Sequence, residues 1–241
     1  MTGPTAILSP LDRADGSAAY TCPYTGLNIL GSVNGPMELP GRRDAQRPEE
    51  ATLEILVKPA TAPSAVGERY AEGILKSVLG RIILGREKGF PRRGLVLTLV
   101  VLGGPTEELM GRGQSYIPVL PALLHTALLT LLSAAIPMSM TLTTTALAVN
   151  AAGEIVENPP LQVIKDAASL HAFAFSSKGH LLMNESSGCF DFDTWEKVHD
   201  RAYAICRGPK PSDRDGNLES VLRETVEDKI YRDYAYAINA A

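Results

Sequence analysis

The first hydrophobic signal along the chain is a pair of short apolar runs, residues 18–24 and 27–33, separated by Thr25-Gly26. Runs of this length around a glycine that frees the backbone for a tight turn predict a β-hairpin. Residues 35–50 hold Pro36, Pro40, Gly41 and Pro48 among charges and read as a surface loop. Alternation resumes over 52–58, a third strand ended by Pro59. From 68 to 84 the period changes: Ile74, Leu75, Val78, Leu79, Ile82 and Ile83 recur at three- and four-residue steps. That spacing predicts an amphipathic helix, with Gly85 placed to cap its end.

Residues 95–102 form a continuous apolar run between Gly94 and Gly103, the pattern of a strand buried on both faces. Residues 117–136 are apolar over a length that could cross a bilayer, which needs about 20 residues. His125, Thr126, Thr130 and Ser133 interrupt the run, Pro118 and Pro121 crowd its start, and Arg112 is the one cation near its ends. The expectation is therefore a core helix covered on all sides by protein, with Ser115 as its N-cap and Pro118 in its first turn. A second hairpin is predicted from 143–150 and 154–157, then strands at 169–175 and 181–184. Asp193-Thr194-Trp195-Glu196 has capping-box spacing and opens a helix that runs to about Cys206. A polar segment, 208–217, reads as a linker, and Val221, Leu222, Val226 and Ile230 predict a final helix over 218–240. The order of elements implies an α+β or mixed domain of two sheets with helices between them.

Composition narrows the class. Charged residues make up 21% of the 241 and hydrophobic residues 45%, and the mean hydropathy is +0.01, values of an ordinary globular chain. The net charge of −4 means that any nucleic-acid contact rests on a local basic patch and not on the overall field. Cys22, Cys189 and Cys206 are odd in number and lack C-x-x-C spacing, which points to buried thiols in a reducing compartment and not to a zinc site. The first residues carry no basic segment followed by an apolar run, so a cytosolic or nuclear location, or both, is expected.

Candidate chemistry is sparse. His125, His171, His180 and His199 share no metal-ligand spacing, and no metal is assigned. Asp191 and Asp193 could hold a cation or act as acid and base, but the capping role of Asp193 is the favoured reading. The glycine-rich turns Gly103-Gly104-Pro105-Thr106 and Gly111-Arg112-Gly113-Gln114-Ser115 could cradle phosphate, although neither fits a known phosphate fingerprint. The best lead is basic: Arg42, Arg43 and Arg47 in one loop, and Arg92-Arg93 before a strand. Guanidinium forks there suit phosphate oxygens, and a solvated loop is the plainer alternative.

Several strings in this order resemble a known family. Leu11-Asp12-Arg13-Ala14-Asp15-Gly16-Ser17-Ala18, the exit Val33-Asn34-Gly35-Pro36 and the strand Ala51-Thr52-Leu53-Glu54-Ile55-Leu56-Val57-Lys58-Pro59 are similar to RNase PH-type subunits of the eukaryotic RNA exosome. Leu132-Ser133-Ala134-Ala135-Ile136-Pro137-Met138 and Leu181-Leu182-Met183-Asn184 extend the resemblance, which covers residues 11–206.

The resemblance implies an α+β RNase PH-like fold of the ribosomal protein S5 domain 2-like type, two βαβα halves with sheets packed on central helices. With the linker and final helix read above, the chain divides into that domain at 1–207, a linker at 208–217 and a helical extension at 218–241. It also implies a hetero-hexameric ring with other RNase PH-like subunits, S1/KH-type cap subunits, a separate catalytic exoribonuclease and single-stranded RNA as partners, without cofactor or membrane. Nucleus, nucleolus and cytoplasm are the implied locations. Active members of the family hold phosphate with an arginine on the first long helix and with a Gly-Gly-Thr-Arg turn before the central helix. Here Gly73 falls at the first position and no Gly-Gly-Thr-Arg precedes Tyr116. The family's aspartates fall near Val156-Glu157-Asn158-Pro159-Pro160 and near Ser169, with Glu157 and Asp166 as the nearby carboxylates. The expectation is a catalytically inert subunit whose RNA contacts are Arg42, Arg43, Arg47, Arg92 and Arg93. An active phosphate-dependent 3'-5' exoribonuclease, with Arg112 as a substitute phosphate ligand, is the alternative.

Overall fold

A computed structural model describes residues 4–38, 48–60, 63–105, 116–208 and 218–235. The first sheet contains β1 (Thr5–Leu8), β2 (Gly16–Thr21), β3 (Asn28–Met37), β4 (Thr52–Pro59) and β5 (Gly94–Gly103), in the order β1-β2-β3-β5-β4. Its pairs are antiparallel except β4 with β5, which are parallel because α1 (Val66–Ile82) carries the chain back between them. The second sheet, β7-β6-β8-β9, is antiparallel throughout. It is built from β6 (Leu142–Val149), β7 (Ile155–Glu157), β8 (Ser169–Ser176) and β9 (Leu181–Gly188). The remaining helices are α2 (Leu120–Ser133), α3 (Leu161–Asp166), α4 (Phe192–Arg207) and α5 (Leu218–Asp233).

α2 lies between the sheets, packed on β2 and β3 on one side and on β6 and β8 on the other. This placement explains the helix that is apolar all round: Leu120, Leu123, Leu124, Ala127, Leu128, Leu129 and Leu131 are all buried, so every face meets protein. Among the described residues no helix is long and apolar enough to cross a membrane. β8 shows how one strand serves two layers. Its Ala172 and Ala174 belong to the core shared with α2, whereas Phe173 and Phe175 join Val198, Ala202 and Cys206 of α4 in a second core. Small residues let the central helix approach on one face and large rings fill the space under α4 on the other. Close approach also fixes Gly31 on β3, where a Cβ would lie 2.2 Å from the Thr130 Oγ1.

The expected hairpins, α1, the buried strand and the core helix are all present, with differences at their ends. α1 is not capped by Gly85: the chain leaves at Ile83 in an extended conformation, and Ile83 bridges Met138. α2 has Val119 at its N-cap position and Pro121, not Pro118, in its first turn; Ser115 lies outside the described residues. α4 starts earlier than its capping-box spacing suggests. Asp191 is the cap, accepting a 3.0 Å hydrogen bond from the Thr194 N–H, and Asp193 sits in the first turn. Hydrogen bonding by Thr194 to the ionised carboxylate, from its side chain first and its backbone N–H second, lowers the Asp191 pKa. β1 and α3 have too few residues to give a period and were not expected. Of the three cysteines only Cys206 is fully buried; Cys22 is half-buried and Cys189 exposed.

Candidate functional site

Arg92 and Arg93 close the turn between α1 and β5. Phe90, 6% exposed, anchors this turn in the core; the Arg93 N–H donates to the Phe90 carbonyl and the Arg93 carbonyl accepts from the Thr52 N–H. Both arginines are exposed, and Arg92 has a φ of 64°, a left-handed conformation that turns the chain sharply before the strand. Met37, the last residue of β3, and Thr52, the first of β4, both register with Gly94. The two described ends of the segment that contains Arg42, Arg43 and Arg47 thus meet the Arg92-Arg93 turn at one end of the first sheet. Those three arginines themselves lie outside the described residues, as does Arg112.

The positions that the sequence resemblance assigns to phosphate and acid groups hold different chemistry here. Gly73 is on the exposed side of α1, and a Cβ there would meet nothing within 4 Å. Ser169, at the second aspartate position, is buried, and its hydroxyl lies 2.9 Å from the Nε2 of buried His171. The His171 Nδ1 lies 2.8 Å from the Ser186 Oγ. Burial lowers the His171 pKa, so this Ser-His-Ser chain is uncharged at neutral pH. The Glu157 carboxylate is paired with Arg201 of α4, which neutralises it. Asp166 is exposed at the end of α3. The expected acid positions therefore bring together one neutral network and one neutralised carboxylate. Among the described residues no group of His, Cys, Asp and Glu could hold a metal ion.

A buried histidine ties the halves together. The Nε2 of His125, on α2, accepts a 3.0 Å hydrogen bond from the Thr144 N–H of β6. Because that backbone group can only donate, the proton of the neutral ring sits on Nδ1, 3.2 Å from the Tyr20 hydroxyl of β2. Burial pushes the His125 pKa down to about 4. Burial also raises the pKa of Tyr20. In the sequence His125 is only an interruption of an apolar run, because its partners come from strands far away in the chain.

Two surfaces stand out. The face of the first sheet turned away from the core carries half-buried Leu30, Leu56, Val96 and Val100 and exposed Ile7 and Leu102, the last two 60% and 49% exposed. The second surface is on α4, where Phe192, Trp195, His199 and Tyr203 follow one another at three- and four-residue steps. That stripe was visible in the sequence but overshadowed by the capping signal beside it.

No family model matches the chain. It is 26% identical over 227 residues to the exosome complex component RRP46 of Saccharomyces cerevisiae, an alignment that spans 91% of this chain and 93% of that protein. It is 40% identical over 76 residues to the exosome complex exonuclease RRP46 homolog of Oryza sativa subsp. japonica, 32% of this chain and 30% of the relative. The rice Rrp46 crystal structure superposes with a TM-score of 0.74 at 23% identity, covering 92% of this chain and 94% of that one. A subunit of the Archaeoglobus fulgidus exosome with RNA bound to its active site superposes with a TM-score of 0.65 at 10% identity, over 83% and 84% of the two chains. The fold is RNase PH-like, and the chain is RRP46-like along nearly its whole length.

Proposed function

We propose that this RRP46-like chain is a non-catalytic subunit of the hexameric ring of an RNA exosome, helping to thread single-stranded RNA to a separate 3'-5' exoribonuclease for rRNA processing and RNA decay. The observation that carries the reading is similarity to an exosome component over 91% of the chain. The apolar face of the first sheet, which none of the described residues covers, supports it, since an obligate assembly removes such a face from water. The reading includes neighbouring RNase PH-like subunits, S1/KH-type cap subunits and the exoribonuclease as partners, and nucleus, nucleolus and cytoplasm as locations.

An electrostatic argument supports inertness. Phosphorolysis requires inorganic phosphate to bind beside an RNA backbone of the same charge, which needs paired cations at the reacting centre. Gly73 supplies none on α1, and the neutral Ser169–His171 pair supplies no ionised acid. RNA contact is assigned to the end of the first sheet, through Arg92 and Arg93 together with Arg42, Arg43 and Arg47. These arginines act on the backbone phosphates, so their contribution is independent of RNA sequence and falls with salt.

The deciding measurement is the native mass and subunit composition of the assembly captured through a tag on this chain in its own cells. A stoichiometric complex with several RNase PH-like and cap subunits is expected; a lone chain or a homo-oligomer would refute the ring reading. The captured assembly is then given RNA and inorganic phosphate, and no nucleoside diphosphate should appear. Phosphate-dependent release that Arg112→Ala abolishes would show an active phosphorolytic centre in this chain.

A further inference from the structure

Along the edge of α4 that borders β8 and β9, Phe192, Trp195 and His199 form a stack, with half-buried Trp195 also packed on Phe173. The Phe192 and Trp195 ring centroids are 6.0 Å apart with planes inclined by 24°, and those of Trp195 and His199 are 5.3 Å apart at 25°. The inner end is closed: the edges of His199 meet Phe173 and Phe175 of β8, which are buried. The outer end is open, because Phe192 is 71% exposed and no ring covers it on its far side among the described residues. A large apolar ring held in water at the end of a stack leaves room for one further planar group.

Charge decides which planar group. Asp193, Glu196 and Asp200 are all exposed on the same helix, and Asp191 caps it at the Phe192 end. On the opposite side of the balance Arg201 is paired with Glu157, leaving Lys197 as the nearby cation on this helix. A nucleic-acid base would fit the stack but would bring phosphates towards these carboxylates. A lysine would satisfy the carboxylates but has no plane to lay on a ring. A guanidinium satisfies both demands, being planar, permanently cationic and weakly hydrated.

We infer that the Phe192–Trp195–His199 stack, rimmed by Asp193 and Glu196, is a docking surface for an arginine-bearing segment of a protein partner, whose guanidinium stacks on the open face of Phe192. This inference does not depend on the ring reading, since it concerns the isolated chain.

Trp195 is the single tryptophan of the chain, so its emission reports directly on the stack. The full-length protein is titrated with a blocked tetra-arginine peptide, with tetra-lysine and tetra-glutamate of equal length, and with a short oligouridylate. A saturable emission change with tetra-arginine is expected, at a concentration about threefold lower than any response to tetra-lysine, the preference a solvent-exposed cation–π contact supports. Tetra-glutamate and oligouridylate should leave the emission unchanged. Phe192→Ala, which alters an exposed side chain, should erase the preference for arginine over lysine. Asp193→Lys/Glu196→Lys should weaken binding by about tenfold in low salt, where exposed charges still interact. Glu224→Lys/Asp228→Lys on α5, with the same change in net charge, should not. No response to tetra-arginine from the folded protein would overturn the inference. So would equal weakening by both charge reversals, or a response to oligouridylate as strong as that to arginine.

Discussion

The chain should lose stability between pH 6.5 and pH 4 because of one side chain, His125. In the folded protein its Nε2 must stay unprotonated to accept the Thr144 N–H, and burial pushes its pKa down to about 4. In the unfolded chain the ring returns to its ordinary value of about 6.5. The folded-state pKa is depressed, so the unfolded state binds the proton first as acid is added. Stability from this group is complete above pH 6.5, falls as pH drops, and stops falling near pH 4. Taking the two pKa values, the loss is about 2 kcal/mol at pH 5 and about 3 kcal/mol at pH 4. The assay is urea unfolding at 25 °C from pH 7 to pH 4.5, in wild type and in His125→Gln. The variant is less stable at neutral pH, because Tyr20 and Thr144 lose the ring that joins them. The difference between the two proteins isolates His125 from the carboxylates and from His171, whose pKa burial also lowers. That difference should shrink by about 2 kcal/mol on going from pH 7 to pH 5. Parallel stability curves would refute the assignment of His125 as the neutral bridge between the halves.

Other outcomes follow from packing. Gly31→Ala places a Cβ 2.2 Å from Thr130 Oγ1 and should cost about 2–3 kcal/mol in urea unfolding, with part of the loss recovered by Thr130→Ala. Leu222, 7% exposed, anchors α5 in the main core, and Arg207 of α4 pairs with Glu219 at 2.8 Å. Leu222→Ala should therefore destabilise the whole protein by about 2–3 kcal/mol and not merely loosen its C-terminal helix, as calorimetry would register in a single lowered Tm. Cys189 is exposed and should react at once with a thiol reagent in the native protein. Cys206 is buried and burial pushes its pKa up to about 12, so its reaction should wait for unfolding; fast labelling of Cys206 would contradict the packing of α4 on β8.

The sequence by itself determined most of the elements. Period and length sufficed for α1, for both hairpins and for the buried β5, because those segments bury one face or both against a single layer and record that in their side chains. The 117–136 run was legible as a core helix only through its polar interruptions, and the structure supplies the reason: two sheets flank α2 and bury most of it. The caps were less legible, since Asp191 and Asp193 are chemically equal and only the backbone conformation at Asp191 makes it the one that caps. The basic pair Arg92-Arg93 was visible, but its place at the sheet end beside Met37 and Thr52 came from strand registers that no local pattern encodes. The same holds for the His125 bridge, the Ser169–His171–Ser186 chain and the Glu157–Arg201 pair, whose members are brought together from separate strands and helices. Local sequence sets which backbone conformation is cheap and which face is apolar. Only the tertiary structure, through long-range strand pairing and burial, decides which polar groups lose water together and so which of them are neutral, charged or free to meet a partner.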